Sequence, residues 1–355
     1  MKQILLTKIL IPPIRSSLIS RPRLIERMDR VLERKVFLIS APAGFGKTTL
    51  ISEWISATDY SVAWLSLDER DNNLARFLTY FVSALQTIVP GIGEQILKML
   101  AFPQTPPIEL FLSNLINEIS DINKDVFLVL DDYHLIEESQ VNNALKFLIE
   151  NQPPQFHFFI TTREDPQLPL SRLRAHNQLV ELRQADLRFT EVEAEIFLNE
   201  IMNLDLSDAD VKALESRTEG WIVGLQLAGL SMQEHHDKTG FIQSFTGSHQ
   251  FVMDFLLEEV LENQPDIVQK FLLKTSILEH LSGSLCDALL NDPSISGQKT
   301  LEFLAQANLF LIPLDYERHW FRYHHLFADL LRQRLQEKWG DSHVSEGNPI
   351  AELHL

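Results

Sequence analysis

Short, uninterrupted apolar runs alternate with amphipathic stretches through the first half of the chain. The runs at Val36–Ile39, Ser61–Leu67, Val126–Asp132, Phe156–Thr162 and Leu179–Leu182 are rich in β-branched and aromatic residues and too short for helices, which predicts strands buried on both faces. Apolar residues return at helical spacing between them, as at Thr48–Ser56, and before them at Leu24–Leu32. Strands alternating with helices predict a parallel sheet covered on both faces, reaching to about residue 182.

After Asp186 the pattern becomes helical. Thr190 with Glu193 forms a capping-box signature before Ala194–Ile201, Ser207 with Asp210 repeats it before Val211–Arg217, and Gly220–Met232 reads as a largely buried helix. From about Thr239 to Lys338 amphipathic helices lead into LFLIPLDYERHWFRYHHLF, where two strands flank a polar Tyr316–His319 turn. Helices, then a hairpin, then a helix predict a winged helix.

Three of the buried runs end in chemistry. VFLISAPAGFGKTTL passes from strand to glycine-bearing turn to helix, and a helix start offers unpaired N–H groups and positive dipole to an anion. Gly44 and Gly46 allow the backbone to curl around phosphate oxygens, Lys47 can reach the β- and γ-phosphates, and the Thr48 hydroxyl can ligate Mg²⁺. Ala41 stands where the motif G-x-x-x-x-G-K-[ST] has its first glycine, leaving the inner Gly-x-Gly-Lys-Thr whole. The run VFLVLDD supplies the acidic strand that such a site needs. Asp131 would hold Mg²⁺, directly or through water, and Asp132 could polarise an attacking water. FHFFITT ends in Arg163, whose guanidinium is suited to charge at the γ-phosphate. An extra strand, SVAWLSLD, between the two nucleotide motifs points to the ASCE division of P-loop ATPases. The Ser20-Arg21-Pro22 turn has two readings: part of a solvated helix at the sheet edge, or a border to the nucleotide base.

Composition narrows the function classes. The chain has 355 residues, room for two or three domains, and a formal net charge of −18, which argues against a surface built to neutralise a nucleic-acid backbone. Cys286 is the single cysteine, so no internal disulfide forms, which fits a reducing compartment. Lys8 and two prolines interrupt the N-terminal apolar stretch before a signal core or membrane span could form. A soluble, cytoplasmic protein without membrane partners is expected.

The ordered set APAGFGKTT, VLDDYH, ITTRED, DLRFT, RTEGWIVGLQLAGL, FLLKTSILEHLSGSLCD and WFRYHHLFADLLRQRL resembles the nucleotide-binding arm of MalT-like regulators, signal-transduction ATPases of the STAND class, over roughly residues 7–338. The resemblance implies an N-terminal arm at 1–35 bordering the nucleotide site, an α/β P-loop (ASCE-type) parallel-sheet domain at 36–185, an all-α helical domain at 186–238, a winged-helix domain at 239–339, and a linker or frayed tail at 340–355. It implies ATP/ADP and Mg²⁺ as cofactors, closure over ADP, and opening with self-association when inducer and ATP bind. Slow ATP hydrolysis would reset the switch. The phosphate loop would comprise Ala43, Gly44, Phe45, Gly46, Lys47, Thr48 and Thr49, with Arg21 nearby. Thr48 and Asp131 would serve Mg²⁺, Asp131 and Asp132 would be the Walker B acids, and Arg163 the sensor arginine. A histidine opening the last helix would touch the diphosphate; His324 and His325 are both candidates, and His324 is chosen because it precedes x-Leu-Phe.

Complete members of this family carry a superhelical sensor domain and a LuxR-type helix-turn-helix, and the sequence ends at Leu355 with neither. A fragment, or a switch whose output lies elsewhere, is expected, with inducer binding outside this chain and DNA contacted only through the absent helix-turn-helix. Two other functions compete: a motor or remodelling ATPase, and a DNA-binding module acting through Gly297–Asn308, a helix with little positive charge.

Overall fold

The computed structural model describes residues 4–14, 18–99, 108–233 and 237–339; the predicted tail at 340–355 lies outside them. The described residues form two compact units, those up to 41 with those of 46–187, and 42–45 with those from 188 onward.

The first unit is built on five parallel strands: β1 (Val36–Ser40), β2 (Ser61–Ser66), β3 (Val126–Asp131), β4 (Phe156–Thr162) and β5 (Leu179–Arg183), in the order β2-β3-β4-β1-β5. Every residue of β1, β3 and β4 is buried, as the unbroken apolar runs require. The two-residue period of a strand sorts them between faces. Leu38, Leu128, Leu130, Phe158 and Ile160 pack in one core with the apolar stripes of α2 (Leu74–Gln86), α3 (Ile108–Ser120) and α4 (Ser139–Asn151). Phe37, Phe127 and Phe159 gather instead around Trp54, from α1 (Lys47–Ser56), with Phe37 and Phe159 stacked at 5.0 Å and Phe159 4.7 Å from the Trp54 ring. Burying each such ring contributes roughly 1.5–3 kcal/mol.

The strand lying between β1 and β3 in space is β4, while β2, the extra strand in sequence, takes the edge beside β3. Register then fixes the functional end of the sheet. Ser40 pairs with Thr162 and Leu130 with Ile160, so the carboxyl ends of β1, β3 and β4 finish together. That end is where open α/β sheets bind ligands. Lys8, read in sequence as a charge breaking an apolar lead, is buried and ion-paired with Asp68 at 2.8 Å and with Asp71, whose other oxygen takes Arg76 at 3.0 Å.

In the second unit, Thr190 and Glu193 form the reciprocal capping box at the helix Glu191–Glu195, and Ser207 caps α5 (Asp208–Thr218) by accepting the Asp210 amide. Helix α6 spans Ile222–Met232 and buries one side through Gly224, Leu225, Ala228, Gly229 and Met232 while Leu230 is exposed, so it is less buried than its apolar run suggested. It starts two residues later than Gly220 because Glu219 and Gly220 take positive φ and turn the chain. The antiparallel pair β6 (Leu311–Pro313) and β7 (Phe321–Tyr323) flanks the polar turn and is followed by α7 (His325–Trp339). The helical and winged-helix segments, expected as separate domains, sit in the same compact unit.

Candidate functional site

In the first unit the β1, β3 and β4 ends bring together Lys47, Thr48, Asp131, Asp132 and Arg163. Lys47 opens α1, is 7% exposed and donates to the Ala41 carbonyl at 2.9 Å. Burial holds its pKa down to about 8, with Arg163 adding to the fall and Asp132 and Asp131 opposing it. A buried ammonium in this condition gains from an anion. The Thr48 hydroxyl lies 3.0 and 3.1 Å from the two Asp131 oxygens. Burial, then the neighbouring Asp132 charge, raises the Asp131 carboxyl to about 6.

Asp132 sits in the left-handed region, φ 59°. Its amide donates to Thr161 Oγ1 at 2.9 Å, and that hydroxyl donates to Asp131 Oδ1 at 2.6 Å. Thr161, unremarked in the sequence reading, therefore orients both acids; its only signal was the polar pair ending an otherwise apolar strand. His134 was also passed over. Its Nδ1 is 3.8 Å from Asp132 Oδ1 and buried without a hydrogen-bond partner among the described residues. Burial, with Arg163 and Lys47 adding, lowers its pKa to about 3, so the ring is neutral and faces the acid.

Arg21 is buried and donates to the Leu187 carbonyl at 3.2 Å, fixing the N-terminal arm to the end of the first unit. Gly44 and Gly46 have φ of +80° and +71°, conformations that favour glycine. Thr49 follows Thr48 in the first turn of α1. A glycine-bearing turn, a buried lysine and a hydroxyl beside a carboxylate fit a phosphate and a hard, oxygen-seeking cation such as Mg²⁺.

In the second unit, Ala43 and Phe45 are buried, Phe45 with its ring 6.4 Å from Phe310. His324 is fully buried, with Nε2 2.9 Å from the Thr218 carbonyl and Nδ1 without a hydrogen-bond partner among the described residues. A carbonyl only accepts, so Nε2 carries the proton and Nδ1 of the neutral ring is an acceptor. Burial, opposed by Glu219, holds the His324 pKa down to about 4. For His324 to donate in the diphosphate contact that the family resemblance implies, the ring would have to be doubly protonated. His325 is mostly exposed, 3.8 Å from Glu219. Glu219 was not foreseen: Arg322 grips it with two bonds of 2.7 and 2.9 Å, and Arg188 lies at 3.3 Å. Burial alone would raise its pKa, but the Arg322 hydrogen bonds, the charge that His324 takes up in acid and the Arg322 charge pull it down to about 2.

Comparison with known proteins adds relatives to this geometry. A family model of the MalT winged helix domain matches residues 257–343. The serine/threonine-protein kinase PknK of Mycobacterium tuberculosis strain H37Rv is 34% identical over 341 residues, 95% of this chain and 30% of that protein. The HTH-type transcriptional regulator MalT of Klebsiella pneumoniae strain 342 is 32% identical over 320 residues, 89% of this chain and 35% of that protein. A Walker-type ATPase of Pyrococcus abyssi shares the fold at a TM-score of 0.58 with 15% identity, over 90% of this chain and 97% of that one. The chain spans about a third of the length of the curated relatives it matches. No described helix is long and apolar enough to cross a membrane.

Proposed function

We propose, for a chain that is MalT-like over most of its length, that it is the nucleotide-dependent control module of a signal-transduction ATPase, resting with ADP and activated with ATP. The observation that carries the nucleotide assignment is the grouping of buried Lys47 with Thr48 and Asp131 where β1 and β3 end. When bound, Mg·ATP supplies the phosphoanhydride bond that is broken. Lys47 would meet the β- and γ-phosphates, and Thr48 with Asp131 would hold Mg²⁺, whose charge favours the ionised carboxylate. Asp132, its backbone held by Thr161, would orient and polarise the attacking water. Arg163 would stabilise charge at the γ-phosphate.

A switch is favoured over a motor because nearly the same segment occurs in one protein named as a kinase and in another named as an HTH regulator. What two such different outputs share is best understood as the part that controls them. The inducer and DNA contact would then depend on segments outside this chain, and self-association would accompany ATP binding. Action on DNA through the winged helix itself is disfavoured by the charge of −18. Calorimetric titration with ADP and with a non-hydrolysable ATP analogue tests this function: tighter binding of ADP supports a resting switch, and binding of neither overturns it.

A further inference from the structure

We propose that Trp221 is a positioning residue for the phosphate loop: its indole fixes the Ala43–Gly44 peptide plane, beside the Gly44–Phe45 plane held by the Val223 amide, so that their N–H groups are presented to phosphate. The role rests on the nucleotide function above and adds a residue that no part of the phosphate-loop motif contains.

Residues 42–45 pack in the unit that contains Trp221. The indole Nε1–H donates to the Ala43 carbonyl at 3.1 Å, and the Val223 amide donates to the Gly44 carbonyl at 3.2 Å. No described peptide is cis, and in a planar trans peptide the C=O and the following N–H point in opposite directions. Anchoring the carbonyls of Ala43 and Gly44 therefore turns the amides of Gly44 and Phe45 to the other side. Neither amide donates to another backbone group among the described residues. They are the kind of oriented donors from which anion-binding loops are made.

Packing makes the anchor stiff. Trp221 is fully buried, edge-on to Phe310 at 5.2 Å, and Phe310 also receives the buried ring of Phe45 at 6.4 Å. The loop tip is thus held by a side chain as well as by two carbonyls. The fit leaves no slack: a Cβ on Gly44 would lie 2.7 Å from Trp221 Nε1 and 2.8 Å from Val223 Cγ2. Trp221 is itself set by its place, as the residue that caps α6 and whose amide donates to the Thr218 carbonyl at 2.9 Å. Glu219, one residue after Thr218, is the carboxylate held by Arg322. A tryptophan serving only to fill the core would not need its indole N–H aimed at the loop.

The test uses Trp221→Phe, which keeps an aromatic ring and removes the N–H. Losing one neutral hydrogen bond from the loop should weaken ADP binding by roughly 3- to 10-fold, with the nucleotide-free protein still folding cooperatively. A second measurement needs no variant: in the wild-type chain, hydrogen exchange at the Val223 amide should slow when ADP is added, because a loop ordered by phosphate holds its acceptor in place. A folded Trp221→Phe protein with wild-type ADP affinity, together with Val223 exchange indifferent to ADP, overturns the positioning role while leaving nucleotide binding intact. A wild-type chain that binds no ADP removes the nucleotide function and this role with it.

Discussion

Thr161 on β4 donates its hydroxyl to Asp131 on β3 at 2.6 Å, and the same oxygen accepts the Asp132 amide at 2.9 Å. One side chain thereby sets the carboxylate assigned to Mg²⁺ and the backbone of the acid assigned to water. Thr161→Val keeps the shape and removes both bonds. ATP turnover should fall about tenfold, the equivalent of about 1.4 kcal/mol, while ADP affinity changes much less. Equal losses in turnover and ADP affinity, in steady-state kinetics and calorimetry, would place Thr161 in binding instead.

Asp132 is separable from Asp131 by chemistry. Asp132→Asn preserves size but not basicity, so turnover should drop by roughly 10²-fold or more, as for loss of a general base, with ATP binding nearly intact. Normal single-turnover rates would assign the water elsewhere, and His134, 3.8 Å from Asp132, would be the next residue to replace.

The raised Asp131 carboxyl predicts a pH signature in the nucleotide-free protein. Its folded value of about 6 lies above the ordinary 3.8, so the native state holds the proton more tightly than the unfolded chain does. That stability is fully present below about pH 4 and is lost as pH rises through about 6. Asp131→Asn should therefore gain on wild type across this window, by at most about 3 kcal/mol, in urea unfolding. A difference that is flat from pH 4 to 7 contradicts the burial of an ionisable carboxyl there.

Glu219 carries the opposite sign. Its folded value of about 2 lies below the ordinary 4.5, so its contribution is present above about pH 4.5 and is lost as pH falls through about 2. Glu219→Gln should be less stable than wild type at neutral pH and converge with it in strong acid. Arg322→Ala should cost about 3–5 kcal/mol, because it leaves a buried carboxylate without its main partner. Thermal unfolding of either variant at the wild-type midpoint would sink the ion-pair account.

Much of the first unit was legible because its strands are buried on both faces and so read as unbroken apolar runs; β1, β3 and β4 begin where those runs begin. The spatial order of strands was not legible. Nothing in SVAWLS says that β2 lies at an edge, or that the strand carrying ITT slips between the other two. The motif residues Lys47, Thr48 and Asp131 stand out because their chemistry is tied to short, local spacing. Thr161, Glu219 and Trp221 do not, because each acts on residues far away in sequence: Trp221 reaches Ala43 across 178 positions. The proton on His324 was equally hidden, since it is fixed by the Thr218 carbonyl.

The most direct measurement is the nucleotide that the purified chain carries and how tightly it is held. Mass spectrometry of the denatured protein should release ADP, and calorimetry should show ADP binding weakened roughly 10- to 100-fold by Lys47→Ala, the loss of a charge-assisted contact. A wild-type chain that carries no nucleotide and binds neither ADP nor ATP, or a Lys47→Ala chain that binds ADP as wild type does, would contradict the account.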